Sequence, residues 1–374
     1  MNWFTLTGLL CTLGLSTGCQ NPIRDPIDSV VDQVTTDRQE ITKGRRQYPF
    51  ALAQSGGELV TLVSTTDYLN GLIQRLARTT TTAFPWEIRL VNDSSINAWA
   101  LPGGKMGVNW GLLDAVESES ELVSVLGHEM AHSLERHGTG QQTMGSLVGL
   151  ASTLIEIGLG DRAQTQTGQQ LLSLGQGVIM GQYSQSNELE ADREGVRLMV
   201  AAGFDPRGAM QMQEKLARLG SGGNSIAQKI LGTHPVSRER LAAIQSVVAG
   251  YPASDQPESR DFQRMKAELS ATRSALDLVT KARQDGGKKA WESALSHLAK
   301  AHAQRPGEPS FWRLQAELLV AAGRPGDAVE AALQVVNLAP DDPISEMLLG
   351  YCYDAAGDQA NAQIARDRAK RLAQ

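Results

Sequence analysis

The sequence predicts a mainly α-helical protein, with a small β-sheet in its first half and a helical solenoid in its second. Three observations lead to this fold class. Aromatic residues make up 5% of the chain, whereas 37 of its 374 residues are glycine, a bias that favours close helix packing over an aromatic-rich β-sandwich. Apolar residues recur with a helical period between 58 and 78. Near the C-terminus, prolines, glycines and alanines return every 34 positions.

The overall composition excludes several classes of protein. With 41% apolar and 20% charged residues, the chain is of ordinary globular type rather than disordered. Its 35 basic residues are outnumbered by 41 acidic ones and form no long run, which argues against nucleic acid as a partner. Three cysteines, Cys11, Cys19 and Cys352, are too few for a disulfide framework.

Residues 1–18 have the pattern of a secretory signal. The apolar stretch from Trp3 to Leu15 is shorter than the about 20 residues that a membrane span requires. The following Ser16-Thr17-Gly18-Cys19 resembles the lipobox of bacterial lipoproteins, in which the cysteine is acylated and becomes the mature N-terminus. Since Gln20 rather than Asp follows, this resemblance implies a periplasmic protein attached to the outer membrane only by the lipid on Cys19. An ordinary cleaved signal with an incidental cysteine is the alternative.

After this signal the chain begins with a polar segment and continues with helices and strands. Residues 19–57 contain Pro22, Pro26 and Pro49 and predict a tether followed by an irregular approach to the first domain. Ser118 and Glu121 form a capping box, which predicts a helix over 119–137. Periodicity and turn residues further predict helices over 58–78, 144–160, 187–202, 206–219 and 236–249, and strands over 86–91, 96–101 and 106–109.

A break and a repeat predict two domains. Pro, Ser and Asp cluster at 250–257, which separates a first domain at 58–250 from a second at 258–374. In the second domain, Pro306 and Pro340 lie 34 residues apart, and this is the length of the tetratricopeptide repeat (TPR). Small residues at the helix crossings of such repeats let each helix pair approach closely and stack on the next. A plain helical bundle with coincidental spacing is the alternative.

The motif His128-Glu129-Met130-Ala131-His132 lies inside the capped helix. Its i, i+4 spacing puts both imidazoles on one helix face, where they can occupy adjacent corners of a tetrahedral metal site. Glu129 can reach a metal-bound water without being a ligand itself. The pattern therefore predicts a zinc hydrolase site with His128 and His132 as ligands and Glu129 as the base. A solvated helix face is the alternative.

A zinc hydrolase site also needs a third protein ligand and an open position for water. Glu188 and Asp192 are four residues apart at the start of a later helix and share a face. Glu188 could thus bind the metal while Asp192 accepts the other N–H of a ligand histidine. The spacing alone does not choose between Glu188 and Glu190 as the ligand. In isolation, such an acidic helix start would only complement the helix dipole.

At these residues the chain resembles the zinc metallopeptidase family that includes the CAAX prenyl endopeptidases, HtpX and BepA, and within it the periplasmic proteases that carry TPR repeats. The resemblance implies one Zn²⁺ per chain and selects Glu188 as the third ligand beside His128 and His132. One departure is Gln185, where the family often has arginine. The matching motifs are Asn97 to Gly104, Gly111 to Leu113, Glu121-Leu122, His128 to His132, His137, Glu188 to Asp192, and Thr233 to Pro235 with Arg240.

The resemblance also implies roles for His234 and Arg240. Either would be a fourth metal ligand or a stabiliser of the transition state, and His234 in the open ligand position would keep the enzyme latent. From the residues alone, a histidine before proline such as His234 is more often part of a turn. His137, near a helix end, is most simply a favourable cation against the helix dipole. His297 and His302 receive no chemical role.

Together these features predict an α+β, zincin-like metallopeptidase domain followed by an α-helical TPR solenoid. The resemblance implies an HExxH-type zinc metalloendopeptidase of the bacterial envelope that cleaves unfolded or misassembled outer-membrane proteins. The strand that contains Asn97, Ala98, Trp99 and Ala100 would bind the substrate backbone by strand addition. The TPR module would bind substrates or proteins of envelope and outer-membrane assembly.

Two other hypotheses follow from the same residues. The molecule could work mainly as a chaperone or assembly scaffold, with a partner on the concave TPR face and a peptidase site kept latent by His234. Alternatively, His234 closes the site permanently.

Overall fold

A computed structural model describes residues 26–137, 183–221, 225–254 and 257–373, with the backbone alone for 26–35 and for 225. The predicted signal peptide, Cys19 and the helix predicted over 144–160 lie outside these residues. The chain divides into two units, 1–36 and 37–374. Among the described helices we find none with the length and hydropathy of a membrane span.

The described elements follow one another in the order helix, helix, sheet and then helices to the end of the chain. The three strands are β1 (Glu87–Val91), β2 (Ala98–Leu101) and β3 (Lys105–Asn109). The helices are α1 (Pro26–Gln54), α2 (Val63–Ala77), α3 (Trp110–Ala115), α4 (Glu119–Leu134), α5 (Gln185–Ala201), α6 (Arg207–Ser221), α7 (Gln228–Thr233), α8 (Arg238–Val248), α9 (Arg260–Gly287), α10 (Trp291–Gln304), α11 (Pro309–Ala321), α12 (Pro325–Leu338), α13 (Pro343–Ala356) and α14 (Gln359–Leu372).

The three strands form the small sheet that the sequence predicts. Its order is β1-β3-β2, with β1 parallel and β2 antiparallel to the central β3. The helix predicted over 58–78 begins only at Val63, as α2, and its periodic apolar residues Leu69, Leu72, Ile73 and Leu76 are buried. One side of the sheet and α2 thereby contribute to the main hydrophobic core.

Helix α4 begins as its capping box predicts. The Ser118 hydroxyl accepts the backbone N–H of Glu121 at 3.1 Å, and the Glu121 carboxylate accepts the N–H of Glu117 at 2.7 Å. The helix ends at Leu134 rather than at 137, because Arg136 adopts a left-handed φ of 55° that breaks the helical repeat.

The segment over 19–57 is a correction to the sequence analysis, because most of its described part forms the long helix α1 instead of irregular chain. Pro26 occupies the first helical position, where a proline is tolerated, and Pro49 lies inside the helix. Burial compensates for the hydrogen bond that Pro49 removes: Tyr48 and Phe50 are each 7% exposed, and they share a core cluster with the sheet residue Trp99. The Tyr48 hydroxyl also donates to the carbonyl of Met106 at 2.6 Å.

The C-terminal helices show the expected repeat. Ala294, Ala328 and Ala362, which recur every 34 positions, are each 0% exposed and lie in helices that contact their neighbours along the chain. Helices α11, α12 and α13 each begin with a proline at the first turn, and Gly357 ends α13 in a left-handed conformation with a φ of 83°.

The repeat helices pack directly on the N-terminal ones. A single cluster of buried apolar residues runs from Leu59 to Leu318, and α9 contacts α2 and α3. The domain bounds at 58–250 and 258–374 stay a prediction.

Candidate metal centre

Four buried side chains converge at one point of the molecule: His128, His132, Glu188 and His234. The two histidines lie one turn apart on α4, Glu188 is in the first turn of α5, and His234 follows α7. One atom from each of the four lies within 4.8 Å of the others. The structure therefore brings together both predicted histidine ligands, the Glu188 carboxylate and His234.

The close approach of α4 and α5 depends on two glycines, a signal that the sequence analysis did not use. A Cβ atom added to Gly195 would lie 2.9 Å from the backbone nitrogen of His128, and one added to Gly127 would lie 3.0 Å from the carbonyl oxygen of Gly195. Only glycine lets the two backbones approach this closely. The contact brings the start of α5, and with it Glu188, next to His128.

The donor atoms fit a tetrahedral metal ion. His132 Nε2 lies 3.0 Å from His128 Nε2 and 3.2 Å from Glu188 Oε1, and His128 Nε2 lies 3.6 Å from Glu188 Oε2. Tetrahedral coordination at metal–ligand distances near 2.05 Å requires donors about 3.3 Å apart. His234 Nδ1, at 3.2 Å from His128 Nε2 and 2.9 Å from Glu188 Oε1, lies close enough to these atoms to serve as a fourth donor.

The other ring nitrogen of His128 faces Asp192. Its Nδ1 lies 2.9 Å from Asp192 Oδ1, and Arg240 donates to both Asp192 oxygens at 2.8 and 2.7 Å. Arg240 Nη1 also lies 2.6 Å from Glu188 Oε2. Its guanidinium, a group without a lone pair for a metal, thus sits behind two carboxylates and orients both.

The two glutamates at the centre differ in their electrostatics. Burial alone would raise the pKa of Glu188, but hydrogen bonds from His128, His132 and His234 hold it well below its ordinary value. Glu129 is 2% exposed, and burial raises its pKa. Its Oε1 lies 3.4 Å from His234 Nε2. Glu188 is therefore suited to remain an anionic ligand, and Glu129 is suited to accept and return a proton.

His137 and Glu190 take positions that the sequence analysis did not foresee. His137 Nδ1 lies 3.0 Å from His132 Nδ1, and His137 Nε2 lies 3.2 Å from Glu190 Oε2. His137 thus contacts a candidate ligand as well as lying near a helix end. Glu190, the other carboxylate considered as a ligand, pairs with His137.

Tyr183 is a site residue that the sequence analysis missed. Its ring stacks on His132, with the ring centroids 3.8 Å apart and the planes 20° apart, and it lies 5.4 Å from the His234 ring. It stands outside every motif that we used, so no spacing signal pointed to it.

Strand β2 lies beside this cluster at an edge of the sheet. The N–H of Asn109 donates to the carbonyl of Asn97. Because backbone hydrogen bonds alternate along an antiparallel pair, the backbone N–H and C=O groups of Trp99 and Leu101 also point toward β3. The backbone N–H and C=O groups of Ala98 and Ala100 therefore point away from β3. Ala100 lines a small pocket together with His132 and Tyr183, whereas the Trp99 side chain packs edge-on against Tyr48.

Two family matches fit this arrangement. Residues 64–248 match peptidase family M48, and residues 287–352 match the tetratricopeptide repeat. M48 metallopeptidases depend on a metal ion, and the cluster of donor atoms is of a kind that can hold one. The family resemblance and the repeats inferred from the sequence are thereby confirmed.

Several relatives of this chain are named as proteases or metalloendopeptidases. The chain is 28% identical over 323 residues to the beta-barrel assembly-enhancing protease of Yersinia pestis, a match that covers 77% of this chain and 65% of the relative. It is 29% identical to the Escherichia coli K12 protein of that name, over 65% of this chain and 52% of the relative. With the mitochondrial metalloendopeptidase OMA1 of Arabidopsis thaliana it shares 34% identity, over 41% of this chain and 30% of the relative. The chain thus spans less than two thirds of the length of these relatives.

Proposed function

We propose that this chain, which carries a domain of peptidase family M48 followed by tetratricopeptide repeats, is a zinc-dependent metalloendopeptidase of the bacterial envelope. Its substrates would be unfolded or misassembled proteins, outer-membrane proteins among them. The observation that carries the proposal is the convergence of His128, His132 and Glu188, with Glu129 buried beside them. Two neutral nitrogen donors and one carboxylate form the ligand set of a catalytic zinc site.

His128 and His132 would hold the zinc ion through their Nε2 atoms, and Glu188 would hold it through its carboxylate. A zinc ion bound there would polarise the scissile carbonyl and acidify a water molecule. Glu129 would take the proton of the attacking water and deliver it to the leaving amine. Asp192 would keep the His128 ring oriented by accepting from Nδ1, and Arg240 would keep Asp192 and Glu188 in place.

The substrate would lie along β2. The backbone groups of Ala98 and Ala100 that point away from β3 would supply the hydrogen bonds of an additional strand, most readily at Ala100, because Ala98 is 1% exposed. Such pairing recognises the backbone of an extended chain rather than particular side chains. It therefore supports unfolded polypeptide as the substrate class. Asn97 and Trp99, whose backbone groups face β3, would hold the strand in place.

The envelope location and the partners rest on other observations. The lipobox-like Ser16 to Cys19 supports acylation of Cys19 and an anchor in the outer membrane. The repeats support binding of protein partners, and relatives bear the name beta-barrel assembly-enhancing protease. Membrane fractionation of a Cys19→Ser variant tests the anchor, because loss of acylation would release the protein into the soluble fraction.

The variant Glu129→Gln tests the catalytic assignment. We expect it to bind one zinc ion per chain, as wild type does, and to cleave casein at least about 100-fold more slowly, which is the usual minimum effect of losing a general base. Glu214→Gln, an exposed carboxylate on α6, is the matched control and should remain fully active. A zinc-loaded Glu129→Gln protein with full activity would show that Glu129 is not the base. The inactive variant can also trap bound polypeptides in envelope extracts and so identify natural substrates.

A second function is favoured by the position of His234. With its Nδ1 as a fourth donor beside His128 and Glu188, the resting site would be latent, and the molecule would act mainly as a chaperone or assembly scaffold. His234→Ala should then cleave casein faster than wild type, and an unchanged or lower rate would argue against gating. Rescue of envelope integrity by Glu129→Gln in a deletion strain would show that the scaffold role operates without proteolysis.

A further inference from the structure

We infer that His137, itself oriented by Glu190, is a positioning residue for the metal ligand His132. It would accept the Nδ1–H of His132 and thereby hold the ring with Nε2 toward the metal. This inference rests on the proposed function, because it takes His132 to be a ligand. It adds a second pair of supporting residues to Asp192 and Arg240, which contact His128 and Glu188.

The geometry gives each ligand histidine its own partner. His128 and His132 turn their Nε2 atoms toward each other, 3.0 Å apart, and their Nδ1 atoms outward. His128 Nδ1 meets Asp192 at 2.9 Å, and His132 Nδ1 meets His137 Nδ1 at 3.0 Å. An imidazole that binds a metal through one nitrogen commonly donates from the other, and that hydrogen bond sets the tautomer.

One set of hydrogen-bond directions leaves His132 Nε2 free for a metal ion, and in it His137 carries a single proton. A carboxylate accepts and does not donate, so His137 must carry its proton on Nε2, which lies 3.2 Å from Glu190 Oε2. In a ring with that single proton, Nδ1 is an acceptor and can take the Nδ1–H of His132 at 3.0 Å. The reverse direction would put the His132 proton on Nε2, where it would block the metal. Glu190 thus favours the metal-binding tautomer of His132 through its hydrogen bond with His137.

Burial makes this arrangement well defined. His137 is 8% exposed and His132 is 2% exposed, so water does not readily replace the contact between them. Tyr183 stacks on the His132 ring at 3.8 Å and restricts its rotation. Glu190 keeps 54% of its side chain exposed and avoids the cost of a fully buried charge.

The variants His137→Leu and His137→Asn separate this role from simple packing. Leucine fills similar space without an acceptor, whereas the asparagine Oδ1 can stand where His137 Nδ1 stands. We expect His137→Leu to bind zinc about 10–100-fold more weakly in a chelator competition. His137→Asn should recover most of that loss, and Glu190→Gln should fall between wild type and His137→Leu. Glu194→Gln, on the same helix and paired with Arg197, is the control and should bind zinc like wild type.

Two further measurements separate a change at the metal site from a loss of folding. Thermal unfolding of the metal-free variants reports whether each still folds. The visible spectrum of the cobalt-substituted protein reports the ligand field, which should change in His137→Leu and be restored in His137→Asn. Zinc binding by His137→Leu as tight as that of wild type would overturn the inference alone. A wild-type protein that binds no zinc would overturn the proposed function, and the inference with it.

Discussion

Arg240 is 2% exposed, a rare degree of burial for an arginine. Its three guanidinium nitrogens contact Asp192, Glu188 and the carbonyl of Pro235, which lies at 3.1 Å. A buried charge of this kind is tolerated only when it is fully paired, and removing one partner leaves the others buried and unpaired. At the scale of residues, the candidate metal centre is therefore a network in which each ligand depends on a partner further out.

Asp93, in the turn between β1 and β2, permits a test of pH dependence away from the metal centre. It accepts the N–H of Ser95 at 2.7 Å and forms an ion pair with Lys229. Burial acts to raise the pKa of Asp93, but Lys229 and Arg283 hold it below its ordinary value. Because this pKa is lower in the folded than in the unfolded protein, Asp93 stabilises the fold above the unfolded-state pKa of about 3.9, and the stabilisation is lost as the pH falls through the folded-state pKa.

We accordingly expect Asp93→Asn to lower the free energy of unfolding by about 1–2 kcal/mol at neutral pH. The difference from wild type should shrink below about pH 4. Urea unfolding at a series of pH values measures both quantities. Asp67→Asn, an exposed residue of α2, should show no such pH-dependent difference. A constant deficit at all pH values would contradict the ionic role of Asp93.

At the scale of elements, α1 is the clearest case of a helix held by its surroundings. Gly44 of α1 lies against the chain at Pro102, where β2 ends, and a Cβ added to Gly44 would lie 1.8 Å from the Pro102 carbonyl oxygen. Gly71 in the middle of α2 has no atom within 4 Å of such a Cβ. The two glycines share a helical environment and differ in their packing.

Replacing each glycine by alanine should therefore change the free energy of unfolding in opposite directions. Gly71→Ala should raise it by about 0.5–1 kcal/mol, the usual gain for glycine to alanine inside a helix. Gly44→Ala should lower it by about 1–3 kcal/mol through overpacking. Chemical denaturation of both variants measures the pair. A stabilised Gly44→Ala protein would mean that α1 does not pack on the chain at Pro102.

At the scale of the whole molecule, α9 joins the N-terminal helices to the repeats. The Lys266 ammonium donates to the carbonyls of Leu113 and Asp114 at 3.0 Å each, at the end of α3. Glu268 accepts from the N–H of Thr65 at 3.0 Å and from its hydroxyl at 2.6 Å, at the start of α2. Since Leu62, at the N-cap of α2, has no capping side chain, Glu268 supplies the cap from a distant helix.

The variant Glu268→Ala should lower the free energy of unfolding by about 1–2 kcal/mol, as the loss of a helix cap does. Because the core is continuous between the two parts, the whole transition should shift while remaining single. Far-ultraviolet circular dichroism and tryptophan fluorescence would follow it independently. Glu292→Ala, whose side chain is 90% exposed, should leave the transition in place. Two separate transitions, only one of them shifted, would show that α9 does not couple the parts.

The sequence alone determined the elements and the chemistry that depend on local spacing. The capping box at Ser118, the histidine pair at His128 and His132 and the repeat interval are patterns within one helix or one repeat, so periodicity and residue type suffice to read them. The strands and their turn at 102–104 also follow from local signals.

Only the tertiary structure decided the rest, because contacts between distant segments leave no local period. It showed that 26–54 form a helix, because burial of Tyr48 and Phe50 compensates for the hydrogen bond that Pro49 removes. It placed Glu188 among the ligand atoms and Glu190 against His137, although two positions on one helix look alike in the sequence. It also set Tyr183 on His132 and brought α4 to α5 across Gly127 and Gly195. The sequence thus predicts which groups do the chemistry, and the packing of distant helices decides which groups hold them in place.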